Sequence, residues 1–340
     1  MDIEFYRTLL DQISDGVYFL SRDRHITYWN GGAERITGYS SAEVLGHSCS
    51  EGILRHVNDQ GRQMCLHGCP LAGVMKDGKP REAHVYLHHK DGHRVPVTVK
   101  GSALRDPDGT IVGAVEVFSS QVANPYADRR RGPEDNSLDP TTGLYPRRLG
   151  ELHLTTMVQA VTDQAAALGL LFIDVDNFKD VNDTFGHKTG DDVLRMVAQS
   201  LANGLRRGDL PMRWGGDEFL ALLPGTSEAG LRATAERVRM LVENSWIQTG
   251  DVQARVTVSI GATMARPAET SAELVDRADR WMYASKRGGR NRVTTDSAEL
   301  TTTSDRPVLG THVPMQVHGE DRRRADRRFD VPPVPRSGES

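Results

Sequence analysis

Three cysteines in 340 residues leave no disulfide framework to staple the chain. No run of about eighteen apolar residues occurs, so no membrane-spanning helix is expected. Neither sign of charge dominates. The 42 Lys and Arg stand against 46 Asp and Glu, for a net charge of −4 and a pI near 6.3. That balance supplies no basic field for nucleic acid or anionic lipid. The opening Met1-Asp2-Ile3-Glu4 lacks the basic and apolar regions of a signal peptide. These gaps lead to the expectation of a cytoplasmic protein with reduced thiols and no nucleic-acid or membrane partner. Hydrophobic content of 38% and charge of 26% suit a globular chain of roughly two domains.

What is present centres on Met212 to Leu220. Met212–Trp214 and Phe219–Leu223 read as short strands, with Gly215, Gly216, Asp217 and Glu218 at the bend. Glycine permits close backbone approach and positive φ. Paired acids at an exposed bend suit a hard divalent cation and, through it, a polyphosphate. An ordinary acidic turn is the bland alternative. A second stretch weighs against it. Leu170 to Val175 reads as a buried strand that runs into Asp174-Val175-Asp176-Asn177-Phe178-Lys179. Acids at alternate strand positions point to one side, and Lys179 falls where a loop is expected. Asn182, Gly190 and Asp191 follow, then a helical stripe of Val193, Leu194, Val197 and Leu201. An acid-ended strand, a lysine loop and a Gly-Gly-Asp-Glu hairpin form the inventory of metal-assisted nucleotidyl transfer.

From Asp139 to about Val293 the sequence resembles the GGDEF domains, the diguanylate cyclases. The resemblance rests on Asp-Pro-Thr-Thr-Gly-Leu at 139–144, Phe172–Lys179, Asn182, Gly190-Asp191, Gly215–Phe219, Lys286 and Arg290. Thr141 and Pro146 depart from the usual leucine and asparagine at packing or turn positions. The resemblance implies condensation of two GTP to cyclic di-GMP and two pyrophosphates. It implies two Mg²⁺ or Mn²⁺ ions on Asp174, the Val175 carbonyl, Asp217 and Glu218, the last pair also catalytic. Asn177, Phe178, Lys179, Lys286 and Arg290 would hold the triphosphate. Asn182 and Asp191 would read guanine, and Gly215 and Gly216 would admit the ribose and phosphates. Each domain would hold one GTP, so a homodimer is implied. Arg206 and Asp209 match the family's RxxD product-inhibition site, with Arg237 as its secondary contact. The intact hairpin speaks against a degenerate nucleotide-binding regulator. The charge balance speaks against a polymerase, which shares the metal chemistry.

The expected fold class is α+β in two domains. Residues 1–121 are similar to a PAS sensor domain with an antiparallel sheet, including Trp29-Asn30 and Gly38-Tyr39. Residues 122–138 read as a linker, where Pro125, Gly132 and Pro133 disfavour a continuous helix. Residues 139–293 are expected to form the cyclase domain, a central sheet flanked by helices, and 294–340 a disordered tail. Within the tail, Arg322 to Arg328 resembles the lead-in of PilZ domains, with no barrel after it. All three cysteines, Cys49, Cys65 and Cys69, fall in one insertion of the sensor with His56 and His67. Three thiolates and an imidazole could hold zinc, thiolates could hold an iron–sulfur cluster, and Cys65 with Cys69 could form a redox pair. Simple packing of reduced thiols is the alternative. Haem on His84 or His88 has no supporting spacing.

Overall fold

The computed structural model describes residues 3–66, 68–123, 138–164 and 166–296. Two α+β domains follow one another, each built on its own sheet. The expectations for the linker's interior and for residues 297–340 lie outside the described residues.

The first domain runs α1 (Ile3–Asp11), β1 (Gly16–Ser21), β2 (Ile26–Trp29), α2 (Gly31–Thr37), α3 (Ser41–Val44) and a 3-10 turn at Cys49–Glu51. Then come α4 (Pro70–Asp77), β3 (Arg81–His88), β4 (Arg94–Arg105) and β5 (Ile111–Ser120). Its sheet has the order β2-β1-β5-β4-β3, antiparallel throughout. Alternation buries Tyr18, Leu20, Val85, Leu87, Val97, Val99 and Phe118 around Trp29. Asn30 ties the entry together. Its Oδ1 accepts from the Val17 and Ala33 amides, capping α2, and its Nδ2 donates to the Leu10 and Asp15 carbonyls. The insertion between α2 and β3 holds more structure than its cysteines suggest. Pro70 opens α4 where its missing N–H costs nothing, and Gly78 closes it in the left-handed conformation.

The second domain runs β6 (Tyr145–Pro146), α5 (Arg147–Gln164), β7 (Leu168–Val175), α6 (Phe178–Asn203), β8 (Leu210–Arg213) and β9 (Glu218–Pro224). It continues with α7 (Glu228–Glu243), β10 (Ile247–Thr249), β11 (Val252–Ala254), β12 (Val258–Met264), α8 (Ser271–Arg287) and β13 (Val293–Thr295). The six-stranded sheet has the order β13-β12-β7-β9-β8-β6, with β10 and β11 a separate hairpin. β7 is buried along its whole length. Leu171, Ile173 and Val175 pack with the apolar stripes of α6 and α7, whereas Leu168, Leu170 and Phe172 pack with α5 and α8. Gly261 on β12 lets α8 approach, since a Cβ there would stand 2.0 Å from the Ala278 carbonyl oxygen. The capping box of Thr270 and Glu273 starts α8.

Two expectations need correction. Lys179 is not in a loop. Helix α6 begins at Phe178, and the break falls later, at Gly186 (φ 81°). The folded chain also runs past Val293. Strand β13 reaches Thr295, and Asp296 pairs with Arg277 at 2.5 Å and with Arg266 at 3.2 Å. Arg277 is nearly buried and needs that countercharge; composition alone conceals such a partner.

Candidate active site

The site grows from the pairing of β7 with β9. The register sets Asp174 opposite Glu218, bringing together acids 44 positions apart (218 − 174). Strand parity puts Asp174 on the face that α8 covers, alongside Leu170 and Phe172. There the Lys286 Nζ meets its Oδ2 at 2.7 Å. Burial pushes the Asp174 carboxyl up to about 6, against the pull of Lys286 and with help from Asp217 and Glu218. Burial also pushes Glu218 up, joined by repulsion from Asp217 and Asp279. These carboxylates are held together with less positive charge than they need.

The turn between β8 and β9 is held by a residue the sequence reading passed over. Arg213 donates from Nε to the Gly215 carbonyl at 3.1 Å and from Nη2 to the Gly216 carbonyl at 2.8 Å. Its Nη1 reaches Asp139 at 3.1 Å, and Asp139 in turn accepts from the Thr142 amide and hydroxyl. The opening motif and the hairpin are therefore one clamp. Neither Gly215 nor Gly216 takes a positive φ, contrary to one reason offered for them. At Gly215 a Cβ would lie 2.5 Å from the Glu218 Oε2 and would push that carboxylate aside. A Cβ at Gly216 would meet nothing within 4 Å, so that side of the turn is open.

Asp176, read from the sequence only as an acid alternating with Asp174, proves to be an anchor. It is buried, and it accepts from the Thr257 hydroxyl (2.7 Å), the Ser259 hydroxyl (2.7 Å) and the Asn291 amide (3.1 Å). It thus ties the end of β7 to β12 and to the turn bearing Arg290. The next residue, Asn177, takes a left-handed φ of 56° and opens α6. Lys179 and Arg290 are exposed beside these anchors, as is Asp191. Asn182 Oδ1 lies against Gly190, where a Cβ would come within 2.0 Å, which brings it near Asp191. The sequence hinted at Asp176 through the Asp-x-Asp alternation and at Arg213 through its place before the glycines; neither hint named a partner.

Elsewhere, Arg206 and Asp209 contact each other, Nε to Oδ1 at 3.0 Å. Asp209 is buried and Arg206 largely exposed. Arg237 donates to the Gly204 carbonyl at 2.8 Å. In the first domain Cys49, His56, Cys65 and Cys69 line one cavity of about 20 Å³, room for a single water, together with Tyr18 and Glu116. His67 lies outside the described residues. Among the described residues, no three His, Cys, Asp or Glu side chains are close enough to hold an ion as they stand. A structural zinc needs a closed set of protein ligands, which the described residues alone do not supply. Burial raises the Cys49 thiol and pushes Cys65 up to about 11. Mg²⁺ differs, because it keeps waters and uses one or two carboxylates plus substrate phosphates. The donor set of Asp174, Asp217 and Glu218 fits that requirement.

Among the described residues no helix is long and apolar enough to cross a membrane. The family model "Diguanylate cyclase, GGDEF domain" matches residues 136–292, and a PAS domain model matches residues 14–120. The response regulator PleD of Caulobacter vibrioides is 41% identical over 176 residues, which are 49% of this chain and 39% of PleD. The probable diguanylate cyclase DgcE of Escherichia coli is 33% identical over 287 residues, 84% of this chain and 25% of DgcE. This chain thus spans well under half the length of either. The crystallised GGDEF domain of DgcB from Caulobacter crescentus, in complex with c-di-GMP, shares 32% identity over 49% of this chain and 95% of that one, with a TM-score of 0.46. The chain carries a PAS domain followed by a GGDEF domain of the diguanylate cyclase family.

Proposed function

We propose that this protein condenses two GTP into cyclic di-GMP and two pyrophosphates. The observation that carries the reading is the Asp174–Glu218 pair, set in register across β7 and β9 beside an open Gly216. Each 3′-hydroxyl oxygen attacks the α-phosphorus of the other GTP. The bond from that phosphorus to the bridging oxygen breaks, pyrophosphate leaves, and the hydroxyl proton passes to a base. Glu218, with its raised affinity for protons, suits that base better than an ordinary carboxylate. Asp174, the Val175 carbonyl, Asp217 and Glu218 would hold the Mg²⁺ or Mn²⁺ ions. Bound there, such ions lower the pKa of the attacking hydroxyl and neutralise charge on the leaving group.

Lys286 serves as a stand-in countercharge for Asp174 until substrate arrives, and then turns to the triphosphate. Lys179 and Arg290 add exposed cationic donors. Asn182 and Asp191 face guanine, and an aspartate that accepts from its N1 and N2 donors rejects adenine. One domain cradles one GTP, so two copies of the chain must meet. The PAS domain would regulate this reaction, and the setting would be the cytoplasm. The Arg206–Asp209 pair would bind the product, with Arg237 contributing from a neighbouring domain; calorimetry should find cyclic di-GMP binding that Arg206→Ala removes.

GTP with Mg²⁺ should yield cyclic di-GMP, whereas ATP and 3′-deoxy-GTP should yield no cyclic product. Cyclic product from ATP at a comparable rate would contradict the assigned guanine contacts.

A further inference from the structure

The two domains meet at a junction built around Arg94 and Trp246. Arg94, at the start of β4, is 1% exposed, although arginine is rarely buried without an anion. Its Nε donates to the Asn244 carbonyl at 2.8 Å and its Nη1 to the Arg55 carbonyl at 2.5 Å. Its own carbonyl accepts from the Asn203 Nδ2 at 2.6 Å. Trp246 is 5% exposed and stacks on His88, with ring centroids 3.6 Å apart. The Trp246 amide donates to the Gly92 carbonyl at 3.2 Å. Arg55 of the PAS domain and Arg255 of the GGDEF domain both lie over its ring. Val57 and Tyr86 complete the contact against Met240 and Leu241. Burying a guanidinium costs several kcal/mol unless its donors are satisfied. Here backbone carbonyls from both domains accept from its Nε and Nη1, so docking supplies part of what the buried guanidinium needs.

The cyclase residues gripped at this junction lead to the triphosphate site by two routes, a long one along α6 past its break at Gly186 and a short one through Thr257. Asn203 is the last residue of α6, the helix whose first turn carries Lys179 and which also carries Asn182 and Asp191. Arg255 stands two residues before Thr257, whose hydroxyl and carbonyl both bind Asp176. Both routes end on residues 176–179. We propose that the PAS domain controls the cyclase through this direct junction, with Arg94 as its key and Thr257–Asp176 as the positioning link to the triphosphate site. The inference rests on the cyclase reading above and adds where regulation enters. Undocking would free the end of α6 and residues 255–257, and the start of α6, from Asn177 to Lys179, would lose its fixed geometry. Since these groups bind substrate, the effect should fall on KM for GTP more than on kcat.

Hydrogen exchange on the full chain, wild type against Arg94→Ala, tests this. Faster exchange is expected at 86–96 and 244–257, and also at 176–182, with KM for GTP raised several-fold. Asn203→Ala, a milder change on the cyclase side, should give the same pattern more weakly and guards against a variant that does not fold. Junction residues that exchange faster in either variant while 176–182 and KM stay at wild-type values would overturn the inference. Exchange reads the coupling whatever reaction the site performs. Absence of cyclic product in the wild type would instead count against the cyclase reading.

Discussion

Asp174 and Glu116 are both carboxyls whose affinity for a proton is raised by burial, to about 6 and about 7. Their surroundings differ in every other respect. Asp174 ends a strand, faces a second carboxylate across the sheet, and has Lys286 in reach. Glu116 sits mid-strand in the sensor core with the Tyr18 hydroxyl donating to it at 3.0 Å and the His56 Nε2 3.9 Å away. Burial also makes His56 hard to protonate, lowering it to about 4, so it brings Glu116 no charge. A raised carboxyl is therefore not a functional mark by itself. At Asp174 the strain comes with an opening and fellow acids, which a cation and a phosphate can relieve. At Glu116 the remedy is the proton. Asp296 is the third case, an acid whose permanent partner Arg277 is already in place.

The sharpest way to break the comparison is to remove charge at the sheet end. Glu218→Gln should slow cyclic di-GMP formation by at least about a hundredfold, the scale of losing one charge-stabilising group, while circular dichroism stays unchanged. Arg213→Ala should cost about 10- to 100-fold, as expected for a residue that orients ligands rather than touching them. Initial rates by chromatography measure both, and an Arg213→Ala rate equal to wild type would remove the clamp from the account.

The strands that carry the site and the helical stripe of α6 were legible in the sequence, because periodicity and turn residues are local signals. The pairing that makes the site was legible only through the family's motifs. Nothing local says that Asp174 faces Glu218, or that Arg213 spans from the glycine turn to Asp139. Asp176 was visible as an acid but not as a hub, since its hydroxyl partners on β12 lie more than eighty positions away. Trp246 and Arg94 gave no signal at all, for a contact between domains leaves no period in either. Clustering in sequence did bring Cys49, Cys65 and Cys69 to one cavity.

Smaller effects sharpen the other two cases. Asp296→Ala should lower the stability of the cyclase domain by about 1–2 kcal/mol, the scale of a charged hydrogen bond, because Arg277 retains Glu269. Differential scanning calorimetry should find it, and no change would mean that β13 contributes nothing. For Glu116 the folded state binds the proton more tightly than the unfolded state, with its value moved from 4.5 to about 7. Its contribution is fully present below about 4.5 and is lost as pH rises through about 7. The sensor transition should therefore fall in temperature across that window in the wild type. In Glu116→Gln it should fall less, and a variant with the wild-type slope would show that another group titrates there.

The most direct test is the product itself. Purified full chain incubated with GTP and Mg²⁺, beside its Asp174→Asn variant, should be read by mass spectrometry. Cyclic di-GMP from the wild type, with two pyrophosphates for each, and none from the variant is the predicted result. Wild-type turnover in Asp174→Asn, or GTP left unconverted by the wild type, would contradict the account.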